Sequence, residues 1–419
     1  MQTTIGSRAR QSYGAVFASL WRVVELSLDP MSKFGKHLRP LWNLQADGTF
    51  LNHGSFGACP KEVLAGQATW RETMERQPDQ FFRHTVSSLN PDNMLRQSAD
   101  RLARCMGTQG SKIAFVANPT EAVNTVLKAF ALKAGDEILV LDCVYNAVRL
   151  SVEDKCRETG ARLVKVELPL PVTSNDVTGR IADAAGPNTR IAIIDHIASA
   201  PALVFPVAEI TKALHAKGVK VMIDGAHALG QLDLDLDEIG ADWYTATAHK
   251  WFYSPKGSAF LHARDPAGLK LRPLSISHYY NDPYPLCFDY VGTRDVTAFL
   301  TVPHAMDYIE RFGAADIRRH LSDLSRAGVV PLSTIGAAPI APDSMFAAMR
   351  AYHLPQRREA HPDDAQALIN GFWDKHRIQV AASAYQGKLL LRLSAQLYVG
   401  IEDFAHLAQT LERHGWPGR

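Results

Sequence analysis

Val221-Met222-Ile223-Asp224-Gly225-Ala226-His227 is a short apolar run that stops on an acid and turns at a glycine, and 26 residues beyond that acid stands Lys250, in Thr247-Ala248-His249-Lys250-Trp251. A run this short and this apolar reads as a strand buried on both faces. Similar runs flank it: Lys112–Val116, Glu137–Asp142, Arg162–Leu168, Ile191–Asp195, Val219–Asp224 and Ser258–His262 are the strand candidates. Helix-period stretches fit between them. Thr120–Leu132 repeats apolar residues at Ala122, Val123, Val126, Leu127 and Phe130, and Val207–Lys217 does so at Val207, Ile210 and Leu214 before Gly218 stops it. Alternating strands and helices imply right-handed parallel crossovers, hence an α/β fold with a mostly parallel, doubly wound sheet. Such sheets bind ligands at the carboxyl ends of their strands, where Asp224 lies.

Near residue 300 the pattern changes. Val302–Phe312 and Ala315–Gly328 read as helices, Val329–Pro342 is punctuated by proline, and Leu389–Ser394 is a strand candidate, so a smaller C-terminal α+β domain is expected. The expected partition is an N-terminal extension and arm over 1–47, a large domain over 48–300 and a small one over 301–419.

The chain has 419 residues, 46% hydrophobic and 21% charged, which fits a packed globular core rather than a disordered or fibrous chain. Forty-five basic against 43 acidic residues, without a basic tract, give no footprint for nucleic acid. No run approaches the roughly 18 apolar residues of a membrane span. Cys59, Cys105, Cys143, Cys156 and Cys287 are odd in number and lack a C-x-x-C pair, so neither a disulfide framework nor a zinc site is expected, and no metal. Residues 1–30 carry Arg8, Arg10 and Arg22 with no acid before Glu25, a faint likeness to a transit peptide. They also read as an amphipathic helix with Tyr13, Val16, Phe17, Leu20 and Val24 on one face, or as an extension ahead of a natural start at Met31. A cytoplasmic location is the expectation.

A strand-end acid followed by a lysine among polar groups is the pair that pyridoxal phosphate chemistry needs. A carboxylate keeps the pyridine nitrogen protonated, and a lysine holds the aldehyde as a Schiff base, so that the cofactor accepts the electrons of a carbanion next to nitrogen. Either residue alone has an ordinary reading, Asp224 as a turn acid and Lys250 as a surface charge.

The flanking sequence decides between these. Asp224-Gly225-Ala226-His227, Ala248-His249-Lys250-Trp251 with Pro255-Lys256-Gly257, and Phe288-Asp289-Tyr290-Val291-Gly292-Thr293-Arg294-Asp295 resemble the aminotransferase class V family, over about residues 48–405. Leu51-Asn52-His53-Gly54-Ser55-Phe56-Gly57 resembles the branch of that family named after isopenicillin N epimerase. The resemblance implies the fold type I architecture of pyridoxal phosphate enzymes, with Lys250 the Schiff-base lysine and Asp224 the pyridinium partner. It places His227 at the cofactor's phenolic oxygen, or else leaves it a turn histidine satisfied by backbone. Thr247 and His249 correspond to phosphate contacts. Asn118-Pro119-Thr120-Glu121 opens a helix, so the N–H groups of Thr120 and Glu121 and the Thr120 hydroxyl, which doubles as a cap, can cradle the phosphate, one donor short because Pro119 has no N–H. Tyr145 matches the ring that stacks on the pyridine, or is an ordinary half-buried tyrosine. A polar group from Asp195-His196-Ile197-Ala198-Ser199 is expected nearby, either His196 or Ser199. Gly292-Thr293 resembles a loop reaching the partner's cofactor phosphate, which implies a homodimer with shared active sites.

Arg392, inside the apolar run Leu389–Ser394, needs a partner for its fork: a substrate α-carboxylate or an internal salt bridge. Asn52 and His53 are expected to line the same pocket, with Tyr279 and Tyr280 as weaker candidates.

These residues share a first step, removal of the Cα proton of an amino acid. Epimerisation, β-elimination as a carbon–sulfur lyase, and transamination can all follow. Desulfuration needs a mobile nucleophilic cysteine on the small domain, and no cysteine follows Cys287. Epimerisation wants a proton donor on each face and Lys250 serves one, so epimerase and lyase stand as rivals. A catalytically idle binding subunit is the reading from another class.

Overall fold

The computed structural model describes residues 33–87, 90 and 93–419; the readings made for residues 1–30 lie outside them. Thirteen strands are described: β1 (Thr49–Phe50), β2 (Ile113–Val116), β3 (Glu137–Leu141), β4 (Arg162–Val166), β5 (Thr189–Asp195), β6 (Lys220–Asp224), β7 (Trp243–Thr247), β8 (Ala259–Ala263), β9 (Ala338–Pro339), β10 (Met349–His353), β11 (Ile378–Gln379), β12 (Ala381–Tyr385) and β13 (Lys388–Ser394). The seven-stranded central sheet runs β2-β8-β7-β6-β5-β3-β4. Its pairs β7 to β4 are parallel and β8 is antiparallel to both neighbours, so the sheet is mostly parallel as expected.

All of its strands but the edge strand β4, where Arg162 and Lys165 are exposed, are largely buried on both faces, which is why they read as continuous apolar runs. Leu139, Leu141, Ala192, Ile194, Val221 and Ile223 point into one core, with Val177, Ile181, Ile210 and Leu214 of the helices Ser174–Ala184 and Val207–His215. Ile138, Val140, Ile191, Ile193 and Met222 point into the other, with Val123, Val126 and Val152 of the helices Pro119–Ala129 and Asn146–Thr159. Strict alternation along each strand thus sorts side chains to two helical layers, the doubly wound arrangement.

The smaller C-terminal part carries an antiparallel sheet, β12-β13-β10-β9. The two-residue strand β1, close to the start of the described chain, pairs in parallel with β11, close to its end. Two features depart from the sequence reading. Trp243–Thr247 is a strand that the interrupting Thr245 and Thr247 disguised; their hydroxyls are tied to carbonyls, Thr245 Oγ1 to Phe260 at 2.7 Å and Thr247 Oγ1 to Ala226 at 2.9 Å. The return from β7 to β8 is a loop without a helix, so the chain turns back antiparallel. That loop carries Lys250. Among the described residues no helix is long and apolar enough to cross a membrane.

Candidate active site

Three adjacent strands, β5, β6 and β7, deliver the site. Asp195 ends β5, Asp224 ends β6, and the two are register partners. Parallel neighbours lie about 4.8 Å apart, so both carboxyls leave the sheet side by side on one face. The His196 N–H donates to the Asp224 carbonyl at 2.8 Å, which keeps the strands laced to their last residues. Both aspartates are buried. Asp224 Oδ1 accepts the Ala226 N–H at 2.9 Å. Asp195 Oδ2 is buried with no hydrogen-bond partner among the described residues.

Lys250 Nζ lies 3.2 Å from His227 Nε2. Burial, with the Arg392 charge added to it, pushes the lysine amine down to about 8, against the opposing pull of Asp224 and Asp195. Burial holds His227 well below the ordinary imidazole range, so it is neutral. The Trp251 indole, which can only donate, points at His227 Nδ1 from 3.5 Å, and Nε2 is the ring nitrogen that faces the lysine.

Arg392 of β13 is buried, with burial lowering it to about 10. Nη1 donates to the Ser199 carbonyl at 2.7 Å and its hydroxyl at 3.3 Å, and Nη2 to Ser55 Oγ at 2.8 Å and Asn52 Oδ1 at 3.1 Å. All four acceptors are neutral, and Nε is buried without a partner. The guanidinium therefore has no internal counter-ion among the described residues, unlike Arg350, which is paired with Asp343 at 2.6 Å.

Asn52 and His53 divide. Asn52 stands at the arginine, whereas His53 is wedged behind the lysine: its Nε2–H donates to the Lys250 carbonyl at 3.0 Å and its Nδ1 accepts from the Tyr398 hydroxyl at 2.8 Å. With both nitrogens engaged it braces the lysine loop instead of facing a ligand. Gly57 (φ 67°) makes that approach possible, since a Cβ there would collide with the His249 carbonyl. Burial pushes His53 down to about 3, while an unfolded histidine titrates near 6.5. Between those values the unfolded state holds the extra proton, so stability falls as pH falls. In urea unfolding at pH 6.5 and pH 5, His53→Gln should lose about 2 kcal/mol less than the parent chain does over that interval; equal losses would refute the assignment.

The phosphate cradle expected at Asn118–Glu121 is altered. Asn118, not Thr120, is the cap: its Oδ1 accepts the Glu121 N–H at 2.9 Å, and Glu121 Oε2 accepts the Ala117 N–H at 2.7 Å. Glu121 thus engages both its amide and its carboxylate at the helix start, the amide on an Asx side chain at the cap. Thr120, in the first turn, has no intrahelical acceptor for its amide. Thr247 is buried, its hydroxyl donating to the Ala226 carbonyl. Burial lowers His249 to about 4 and keeps it neutral. Tyr145 starts the helix Asn146–Thr159 and is 49% exposed. Thr293 is exposed, 3.0 Å from the Tyr290 hydroxyl, and Tyr279 lies 3.3 Å from Ser87 Oγ. His196 is tied to the Tyr244 hydroxyl at 2.8 Å, whereas Ser199 meets Arg392.

Asp195, Ser55 and Trp251 were not singled out from the sequence. The available signal was that two apolar strands, Ile191–Asp195 and Val219–Asp224, both end in aspartate. The donor set fits pyridoxal phosphate in kind: a lysine with a depressed amine for the aldehyde, strand-end carboxyls for the ring nitrogen, a helix start for the phosphate, and an arginine without counter-ion for an amino-acid carboxylate.

Comparisons agree with that chemistry. A family model described as aminotransferase class-V matches residues 84–353. A putative L-cysteine desulfhydrase 1 of Oryza sativa subsp. japonica is 39% identical over 62% of this chain, which spans only 57% of that protein. Isopenicillin N epimerase of Streptomyces clavuligerus is 32% identical over 86% of this chain and 94% of its own. Among solved structures, a C-DES mutant with glycine covalently linked to its pyridoxal phosphate superposes with a TM-score of 0.75 at 21% identity, covering 89% of this chain and 98% of that one.

Proposed function

Because the chain belongs to the aminotransferase class-V family and is a pyridoxal phosphate-dependent enzyme, we propose that it cleaves a carbon–sulfur bond of a cysteine-type amino acid by β-elimination. The cofactor supplies the electron sink for the carbanion at Cα. Lys250 would hold it, and its amine would take the Cα proton; burial has already brought that amine to about 8, near the working pH of a general base. Asp224 would face the ring nitrogen, and neutral His227, beside the lysine, the phenolic oxygen. The Thr120 amide, Thr247 and His249 would hold the phosphate, and Tyr145, half exposed, would be the ring available for stacking. Arg392, set by Asn52, Ser55 and Ser199, takes the substrate carboxylate. Thr293, exposed on the surface, reaches the partner's site in a homodimer.

The observation that carries elimination over epimerisation is a single buried amine, Lys250 Nζ, beside the neutral His227 at 3.2 Å. One amine can take the proton and return one to the departing sulfur. Inversion needs a second donor opposite, and the 32% identity to an isopenicillin N epimerase keeps that outcome as the second reading. Desulfuration has no nucleophile: no cysteine follows Cys287, Cys59 is bound to the Tyr253 carbonyl and pushed up to about 12 by burial, and burial also raises Cys143 and Cys287.

The test is turnover of cysteine and S-substituted cysteines in heavy water. Pyruvate, ammonia and a thiol or sulfide in equal amounts are expected; recovered amino acid of inverted configuration with deuterium at Cα, without pyruvate, would replace lyase with epimerase.

A further inference from the structure

The buried carboxyl that this mechanism leaves unused is Asp195. It is the register partner of Asp224 across parallel strands, so the two side chains emerge on one face about 4.8 Å apart at their roots. Each is 4% exposed. Two carboxylates in so confined and dry a place repel strongly, and such pairs ionise in two steps that belong to the pair. Asp224 Oδ1 has the Ala226 amide and the Asp195 carboxyl has the Tyr145 amide, but Asp195 Oδ2 is buried with no partner among the described residues, which leaves it the place for a proton. We propose that Asp195 and Asp224 hold one proton between them, with Asp195 the neutral member, and that Asp195 is a positioning residue, its O–H directed at Asp224 so that a single, oriented negative charge meets the cofactor's ring nitrogen.

The inference rests on Asp224 facing that nitrogen, as read above. Groups facing Asp195 come from every neighbouring element. Asp224 on β6 disfavours its ionisation; Lys250 after β7 and the amide of Tyr145 at the helix start favour it, and the Cys143 thiol after β3, itself raised by burial and by Asp195, stays neutral beside it. Burial and Asp224 outweigh these and hold Asp195 well above the usual carboxylate range, which agrees with the geometry. Tyr244 of β7 stays protonated, and His196 beside Asp195 is engaged by it. One neutral acid donating to one carboxylate makes a charge-assisted hydrogen bond, strong where water is excluded. It also fixes which Asp224 oxygen is left for the cofactor.

The distinguishing variant is Asp195→Asn, which keeps the shape and the donor of a neutral acid but cannot ionise. The full-length protein is studied before and after loading with pyridoxal phosphate. At pH 7.5 its infrared spectrum should contain a protonated-carboxyl stretch that Asp195→Asn lacks. Asp289, pushed up to about 6 and paired with Arg96, is mostly ionised at that pH and does not supply the band. Asp195→Asn should bind pyridoxal phosphate within about threefold of the parent, whereas Asp224→Asn should bind roughly 30-fold or more weakly through loss of a charged partner. Should Asp195→Asn not fold, Asp195→Ser and the pH titration of the band in the unaltered chain report on the same proton. Absence of the band from the unaltered chain, or its persistence in the variant, overturns the shared proton. A loss in Asp195→Asn as large as in Asp224→Asn shows Asp195 acting as an anion and overturns its neutral role. Undiminished binding by Asp224→Asn would instead sink the placing of Asp224, leaving the infrared result to judge the pair alone.

Discussion

Lys250→Ala should lower kcat/KM by about 10⁴-fold or more, the combined loss of the covalent anchor and of the general base. The chain should remain folded. Burial disfavours charge on this amine, its hydrogen-bond partner His227 is neutral, and it makes no salt bridge among the described residues, so truncation breaks no close ion pair. Borohydride reduction of the loaded protein followed by peptide mapping should find the cofactor on the Lys250 peptide of the parent and on no peptide of the variant. Label on another lysine, or more than a tenth of parental activity in the variant, would refute the assignment.

Arg392→Ala should raise KM for an amino-acid substrate about 100-fold, as expected when a desolvated ion pair loses its charged partner. Among the described residues this buried guanidinium, surrounded by four neutral acceptors and with an orphaned Nε, still lacks an anion. Arg392→Lys should recover little, because an ammonium cannot reproduce the planar fork. Substrate amides, which carry no carboxylate, provide the control, since parent and variant should process them alike. An unchanged KM for the free acid would remove Arg392 from the binding site.

How much of this was legible in the sequence follows from the kind of physics involved. Most strands of the doubly wound sheet are buried on both faces and announced themselves as continuous apolar runs; the edge strand Arg162–Val166 showed as a short β-branched run between charges, and Trp243–Thr247 was hidden by threonines that satisfy themselves on carbonyls only after folding. Asp224 and Arg392 stood out as charges in apolar runs, and Lys250 through its spacing from Asp224 and the sequence around it. Partnerships were not legible. That His53 braces the lysine loop depends on a contact spanning 197 residues, and that Asn118 displaces Thr120 as the cap depends on a rotamer. Asp195 looked like the natural end of a strand, and its significance appears only when register places it beside Asp224.

The parallel pairing of β1 with β11 has a consequence for anyone dissecting the molecule. The segment that leads from β1 into Asn52, His53 and Ser55 is anchored on a strand more than 300 residues later. The Ser394 amide donates to the Leu51 carbonyl at 2.8 Å in the same seam. Cleaving the gene near residue 300 would therefore not release an autonomous cofactor-binding half. Such a fragment would keep the lysine while losing the strands that hold its brace, so the two halves should be recoverable as a functional enzyme only by co-expression and complementation.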